Sequence, residues 1–383
     1  MAANSSSSRS NDHLDQTATM INVQELAKNP MTSIPRQFLL PNDHNPAGST
    51  ILPHDQTIPV VDMNELQKII DDDHHDSTEH HLDLDNFFSI CKEWGIFQLV
   101  NHGLGEVVEK VKEEIEEFYK LPLEEKMKYR VSSNEGNVEG YGQTKATLMQ
   151  KDDHTIDWAD RLYLIINPLH RRNPNLLPLL PPSLRDTLES YFTGLENLGM
   201  KLLLLMGRTV GIGEKEMVNM FEDGMRSMRM TYYPPCPQPE LVMGLTPHSD
   251  GSGLTFLLQV NSVQGLQVNK SGLWLPVTVL PSALVVNIGD VLQIMTNGIY
   301  KSIEHRATVN SEKERISLAV FFNPKFEANV GPCKSVVDQS PENQPMFRTI
   351  QMENYYKEFF SRRLNGKAFL ENMKLINNNQ SIV

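Results

Sequence analysis

Cysteine is scarce: the 383 residues contain three, Cys91, Cys236 and Cys333. Three thiols cannot all pair within one chain, and none forms a CxxC, so a disulfide scaffold is excluded and a reducing compartment is expected. Basic charge is also short. Thirty-five Lys and Arg face 48 Asp and Glu, and the formal net charge of -13 argues against a general binder of nucleic acid or of anionic membranes. Long apolar runs are missing. The densest, 202–206, is flanked by Lys201 and Arg208 and reads as a buried helix segment rather than a membrane span. The Ser-rich start has no hydrophobic signal core, and no repeat of solenoid length is evident. These absences predict a cytoplasmic protein, with a monomer favoured and no nucleic-acid or membrane partner.

Apolar residues make up an ordinary 39%, but their arrangement changes along the chain. Residues 1–55 read as a polar tail and extension, with one short helix before Pro30 and a loop rich in Pro, Asn and Asp. Residues 56–225 read as helix-rich. A strand is expected at 58–63, then a helix carrying Leu84, Phe87, Phe88 and Cys91 that Gly95 ends, then a buried strand at 96–100. Amphipathic helices follow Leu104, Val108, Val111, Ile115 and Phe118, and later Leu184, Leu188, Tyr191, Leu195 and Leu198. Between them a short helix fits 123–129, a loop begins at Gly140, a strand fits 157–164, and proline-rich 168–182 is irregular. His74, His75, His80 and His81 lie among acids. They read as a hydrated loop, because no element fixes a ligand geometry there. His102, in Asn101-His102-Gly103, reads as a hydrogen-bonding residue of a turn.

The texture then changes. Residues 226–330 carry short β-rich runs at 228–233, 254–260, 266–268, 274–279, 284–288, 291–295, 302–309 and 316–322. Turn signals such as Gly289-Asp290 and Asn297-Gly298 separate them. Many short antiparallel strands predict a sandwich or jelly roll. The expected class is α+β, a jelly-roll core with flanking helices and a helix-rich N-terminal part. Residues 331–383 return to helix and end in a polar tail.

Thr246-Pro247-His248-Ser249-Asp250 carries the chemistry. On a strand, His248 and Asp250 share one face. His305, on another expected strand, is the third candidate ligand. Two imidazoles and one carboxylate leave three positions of an octahedral metal open, the arrangement of non-haem Fe(II) oxygenases; structural zinc prefers closed four-coordinate sites with Cys. Ten residues beyond His305, Arg315 and Ser317 share a strand face. A guanidinium beside a hydroxyl suits the carboxylate of a small acid that chelates the metal, and Tyr232-Tyr233 offers a phenolic donor. Alone, a His-x-Asp arises by chance and an Arg-x-Ser is usually an exposed strand pair. Their order within one expected β core carries the reading.

These stretches resemble the plant iron(II)/2-oxoglutarate-dependent dioxygenases. The motifs are Thr246 to Asp250, Asn297 to Arg306, Lys313 to Ser317, Tyr232 to Pro239, Lys92 to Gly95 and Val100 to Gly103. The resemblance runs from about Val23 to the C-terminal helices. It implies a double-stranded β-helix, iron(II) on His248, Asp250 and His305, and 2-oxoglutarate held by Arg315 and Ser317 with Tyr233 assisting. Dioxygen is the further co-substrate, and ascorbate a supporting reductant. One departure is Thr231, where the family usually has Asn. Val23 to Ala27, Val138 to Gly142 and Asp157 to Asp160 are similar to a narrower group of alkaloid O-demethylases, norcoclaurine-synthase-like and senescence-related proteins.

That group implies oxidation of an aromatic plant specialised metabolite by hydroxylation, O-demethylation, desaturation or ring closure. By resemblance Phe321 faces the substrate space, and Arg161 and Tyr163 are further candidates. Relatives often carry an apolar residue at the position of Arg161, so it is expected to meet a polar or anionic substrate group or to stack on an aromatic ring. Two other classes compete: a metal-dependent lyase or condensing enzyme on the same scaffold, and a non-catalytic small-molecule binder. Substrate-coupled succinate release separates them.

Overall fold

A computed structural model describes residues 21–41, 57–71, 78–131, 138–143 and 155–375. Strands alternate with helices through the first half and dominate the second. The strands of the two larger sheets are β1 (Val60–Asp62), β2 (Ile96–Val100), β3 (Gly140–Tyr141), β4 (Asp160–Asn167), β5 (Arg226–Tyr233) and β6 (Leu245–His248), then β7 (Leu254–Gln259), β8 (Leu266–Lys270), β9 (Leu273–Pro276), β10 (Leu284–Ile288), β11 (His305–Ala307) and β12 (Arg315–Phe322). A large sheet has the order β1-β2-β10-β7-β12-β5-β4-β3, and a smaller one the order β6-β11-β8-β9. Together they form the jelly roll. β1 to β4 come from the helix-rich half and extend the large sheet on both sides, so that half is built into the core architecture.

The two faces of the large sheet differ because side chains alternate along each strand. One face carries Met228, Met230, Leu318, Val320 and Phe322, all buried, against Leu195, Leu198 and Leu202 of the helix Pro182–Thr209. Gly199 lets the helix approach; a Cβ there would stand 2.4 Å from Cε1 of Phe322. The register places the opposite set on the other face: Arg315 beside Tyr233, Ser317 beside Thr231 and Phe321 beside Ser227, with Arg161 next to Thr231 and Tyr163 next to Arg229. That face is polar and aromatic, and it borders the site.

Gly95 closes the first core helix. It has φ 66, and a Cβ would fall 2.0 Å from the Lys301 carbonyl oxygen, so only glycine fits. At the N-terminus, Asp160 accepts from the backbone N–H groups of Val23 and Gln24 at 2.9 and 2.7 Å. Lys126, fully buried, donates to the Tyr119 carbonyl at 2.9 Å and to Gln24. These bonds pin the helix Val23–Ala27 onto β4.

Several local expectations need correction. Residues 290–295 are a helix, Asp290–Met295, buried along its whole length; an apolar run buried on every side has no period to separate strand from helix. Gly289-Asp290 opens that helix rather than a turn. Gly140 and Tyr141 form a two-residue strand at the sheet edge instead of a loop. His80 and His81 belong to the helix Thr78–Glu93, not to a loop, while His74 and His75 lie outside the described residues. His102 does serve its turn: its Nε2 lies 2.8 Å from the Ser282 carbonyl and its Nδ1 accepts from Leu104 N–H.

Candidate active site

Strand pairing brings the two histidines together. β6 and β11 are antiparallel, with His248 directly opposite His305, and the imidazole centroids are 4.3 Å apart. β6 ends at His248, so Asp250 lies in the bend just beyond it rather than on the strand. The bend still turns its carboxylate to the same point. Oδ1 of Asp250 is 3.4 Å from Nε2 of His248 and 3.7 Å from Nε2 of His305. Adjacent ligands on a metal with bonds of about 2.1 Å are separated by about 3 Å, so the three atoms match one face of an octahedron.

The outer contacts orient each ligand atom. Nδ1 of His248 lies 2.8 Å from the Thr246 carbonyl, and Nδ1 of His305 lies 3.3 Å from the Ile303 carbonyl. Each carbonyl takes an Nδ1–H and leaves Nε2 unprotonated toward the metal position. Oδ2 of Asp250 accepts from Thr255 Oγ1 at 2.6 Å and from Asn287 Nδ2 at 2.8 Å, which leaves Oδ1 for a metal. Thr246 is itself held by Oδ1 of Asp157, through its N–H at 2.9 Å and its hydroxyl at 2.6 Å. Gly366 binds Pro247 and Ser249 through their backbones at 2.8 and 3.2 Å, tying the C-terminal segment to the ligand strand.

Electrostatics set the same protonation state. Burial pushes His305 down to about 4, and the nearby His248 adds to this, with Asp250 opposing. Burial alone would raise Asp250, but the imidazoles and the Asn287 amide outweigh it and hold the carboxyl well below the usual range. A neutral His305 and an ionised Asp250 are the forms a divalent metal requires.

Arg315, Ser317 and Tyr233 are buried to within 4% of full coverage. The Arg315 guanidinium lies 5.0 Å from the Tyr233 ring centroid, and its Nε has no hydrogen-bond partner among the described residues. Gly265 leaves the necessary room, since a Cβ there would meet Cδ of Arg315 at 2.8 Å. An orphaned buried guanidinium beside a hydroxyl and a phenol is a donor set that fits a carboxylate. Thr231, the departure from the family pattern, is buried between Arg161 and Ser317 on this face.

A cavity of about 1180 Å³ opens beside two members of the ligand triad. His248 and Asp250 line it, as do Arg161, Tyr163 and Phe321, so all three expected pocket residues reach it. Tyr163 packs near Phe321 at 6.5 Å and near Phe360 at 5.4 Å, and its hydroxyl lies 3.3 Å from that of Tyr356. Sequence reasoning missed Arg229, Asp157 and the aromatic wall of Tyr356, Phe359 and Phe360. The available signal was the aromatic spacing of the helix Met352–Phe360, where Tyr355, Tyr356, Phe359 and Phe360 fall on adjoining faces.

Residues 225–324 match the 2OG-Fe(II) oxygenase superfamily, and residues 58–180 match the N-terminal region of the non-haem dioxygenases described from morphine synthesis. Oxoglutarate-dependent flavonoid 7-O-demethylase 1 of Ocimum basilicum is 46% identical over 93% of this chain and 91% of its own length. Codeine O-demethylase of Papaver somniferum is 43% identical over 92% and 95%. The solved structure of JOX2 in complex with 2OG, Fe and JA superposes with a TM-score of 0.80 at 33% identity, covering 93% of this chain and 98% of that one. With a ligand face, a donor set that fits a carboxylate and relatives matched over more than nine-tenths of this chain, the chain belongs to the 2OG-Fe(II) oxygenase superfamily and is an oxidoreductase that uses iron(II) and 2-oxoglutarate.

Proposed function

We propose that this oxygenase removes a methyl group from an O-methylated aromatic plant metabolite, with His248, Asp250 and His305 as the iron ligands. The observation that carries it is the cavity, whose wall combines two of these ligands with Tyr163, Phe321, Tyr356, Phe359 and Phe360. A flat aromatic body suits such a wall. The three O-demethylases among the relatives support the choice of bond.

Bound iron with 2-oxoglutarate and dioxygen supplies the oxidising power that a protein side chain lacks. The chain's own groups do the rest. Arg315, Ser317 and Tyr233 hold the distal carboxylate of 2-oxoglutarate and so fix its keto-acid end toward the metal face. Asn287 and Thr255 occupy Oδ2 of Asp250, so Oδ1 is the atom that would hold the metal. The aromatic wall excludes water and holds the methoxy group against the open positions. The balance is one methyl ether, one 2-oxoglutarate and one dioxygen giving one phenol, formaldehyde, succinate and carbon dioxide.

The same reading divides the chain at residues 56, 226 and 331, into an N-terminal extension, a helix-rich region, the jelly-roll core and C-terminal helices. The two family matches begin near the first two of these points, at residues 58 and 225. A cytoplasmic monomer is part of the proposal. The three cysteines, free and buried, support the reducing compartment.

The test is a screen of methoxylated flavonoids, alkaloids and phenylpropanoids for substrate-dependent succinate, with product masses. A product lighter by one methylene, with equimolar formaldehyde, is expected. A product heavier by one oxygen with no formaldehyde would replace demethylation by hydroxylation. Turnover of a substrate without succinate would point to the lyase class.

A further inference from the structure

The cavity has a second cationic feature, separate from the arginine that suits 2-oxoglutarate. Arg161 and Arg229 both line it, on the adjacent strands β4 and β5 and on the same sheet face. Arg315 does not line it. Neither Arg161 nor Arg229 forms a hydrogen bond to another described protein group through its guanidinium, and Nε of Arg229 is buried without a partner.

The two guanidiniums oppose each other electrostatically. Burial draws Arg161 down to about 9, and Arg229 is the next cause. Tyr163, Tyr356 and Asp157 partly offset this. The lining has three carboxylates, each hydrogen-bonded to neutral groups: Asp157 to Thr246, Asp250 to Thr255 and Asn287, and Glu304 to Asn269; of these Asp157 is a partial countercharge to Arg161 and Arg229. The remaining basic lining includes Arg306, which bonds Gln267, together with Arg362 and Arg363. The chamber therefore holds cationic donors in excess of free acceptors. An arginine without a hydrogen-bond partner in a partly desolvated, aromatic-walled space is stabilised when an anion arrives.

We propose that the substrate carries an oxyanion, a carboxylate or an ionised acidic phenol, which binds Arg161 and Arg229 while its aromatic body lies against Tyr163 and Phe321. The guanidinium of Arg161 sits 5.9 Å from the Tyr163 ring centroid, so the charged and aromatic parts of such a ligand are received side by side. His248 and Asp250 line the same cavity, and the reacting carbon is the end of the molecule turned toward them. This inference deepens the proposed function and rests on it: it says which aromatic molecules the oxygenase accepts.

The test uses the full chain with iron(II) and saturating 2-oxoglutarate, without oxygen. Two matched pairs of probes separate the sources of the charge: 4-methoxycinnamate against its methyl ester, and 4-nitrophenolate at pH 8 against 4-nitroanisole. Dissociation constants are read by titration calorimetry. At least one anion is expected to bind about 10-fold or more tightly than its neutral partner, since charge-assisted bonds exceed neutral ones by that margin. Arg161→Met is expected to remove the preference, and Arg161→Lys to restore part of it, while affinity for the neutral partners stays the same. Circular dichroism of each variant checks the fold. Both neutral partners binding as tightly as their anions, no binding of either anion, or equal loss for anion and neutral in Arg161→Met would overturn the proposal. The visible band of the parent protein with iron(II) and 2-oxoglutarate reports separately on the underlying oxygenase reading, so either can fail alone.

Discussion

Replacing Arg315 with Met tests how this chain holds its co-substrate. Arg315 is 2% exposed, its Nε has no partner among the described residues, and it faces Tyr233 and Ser317 across a single polar sheet face. Met matches its length roughly and keeps the packing against Gly265, where the backbone already approaches Cδ closely. What it removes is charge and donors. A hydrogen bond to a charged group contributes about 1.5–3 kcal/mol, so losing about 3 kcal/mol raises the dissociation constant of 2-oxoglutarate roughly 150-fold. Ser317→Ala removes one neutral donor worth about 1 kcal/mol, and a change of roughly fivefold follows. The assay is anaerobic titration of 2-oxoglutarate into the iron-loaded protein, followed by calorimetry. Iron affinity is measured on the same variants without 2-oxoglutarate and should stay put, because neither residue touches the triad. An Arg315→Met protein that binds 2-oxoglutarate as the parent does would refute the assignment. So would a variant whose iron affinity falls in step with its 2-oxoglutarate affinity.

Three further outcomes follow from other parts of the molecule. Asn287→Ala takes one of two donors from Oδ2 of Asp250; iron affinity should fall about 10- to 100-fold, the usual cost of losing an outer partner, as read by competition with a chelator. Phe322→Ala empties the seam between β12 and the helix Pro182–Thr209 where Phe322 meets Phe256 at 5.1 Å and stands over Gly199. It should cost about 3–5 kcal/mol in denaturant unfolding and leave the 2-oxoglutarate affinity of the folded fraction unchanged. Asp160, raised by burial from 3.8 to about 6, binds its proton more tightly folded than unfolded. Stability from this group therefore falls as pH rises from 3.8 toward 6, by up to about 3 kcal/mol, and is flat outside that window. Asp160→Asn should abolish that slope, and unfolding curves at pH 4.5 and 7 in parent and variant would show it.

Much of the site was legible because its chemistry lies in short spacings. His248-x-Asp250 and Arg315-x-Ser317 each keep two groups within one turn of chain, and a period of two predicts the shared face. For Arg315 and Ser317 the strand β12 supplies that face. For Asp250 the reason differs: the strand stops at His248 and a bend held by Thr255 and Asn287 does the aiming. The pairing of His248 with His305 depends on strand register, which no local spacing encodes. The same limit hid Asp157, 89 residues from the Thr246 it holds, and the wall of Tyr356 and Phe360. The helix Asp290–Met295 was misread because Val291, Leu292, Ile294 and Met295 are buried around the whole circumference, and a fully buried run is aperiodic. The helix Gly105–Lys120, with one wet and one dry face, has no such ambiguity.

In the function proposed above, iron(II) and 2-oxoglutarate meet on the face formed by His248, Asp250 and His305. Anaerobic addition of iron(II) to the protein with saturating 2-oxoglutarate should produce a weak visible charge-transfer band that saturates at one iron per chain. His248→Ala should lose both the band and succinate release while keeping its fold by circular dichroism. A parent protein with no band at saturating iron and 2-oxoglutarate, or a His248→Ala protein that keeps it, would contradict the account.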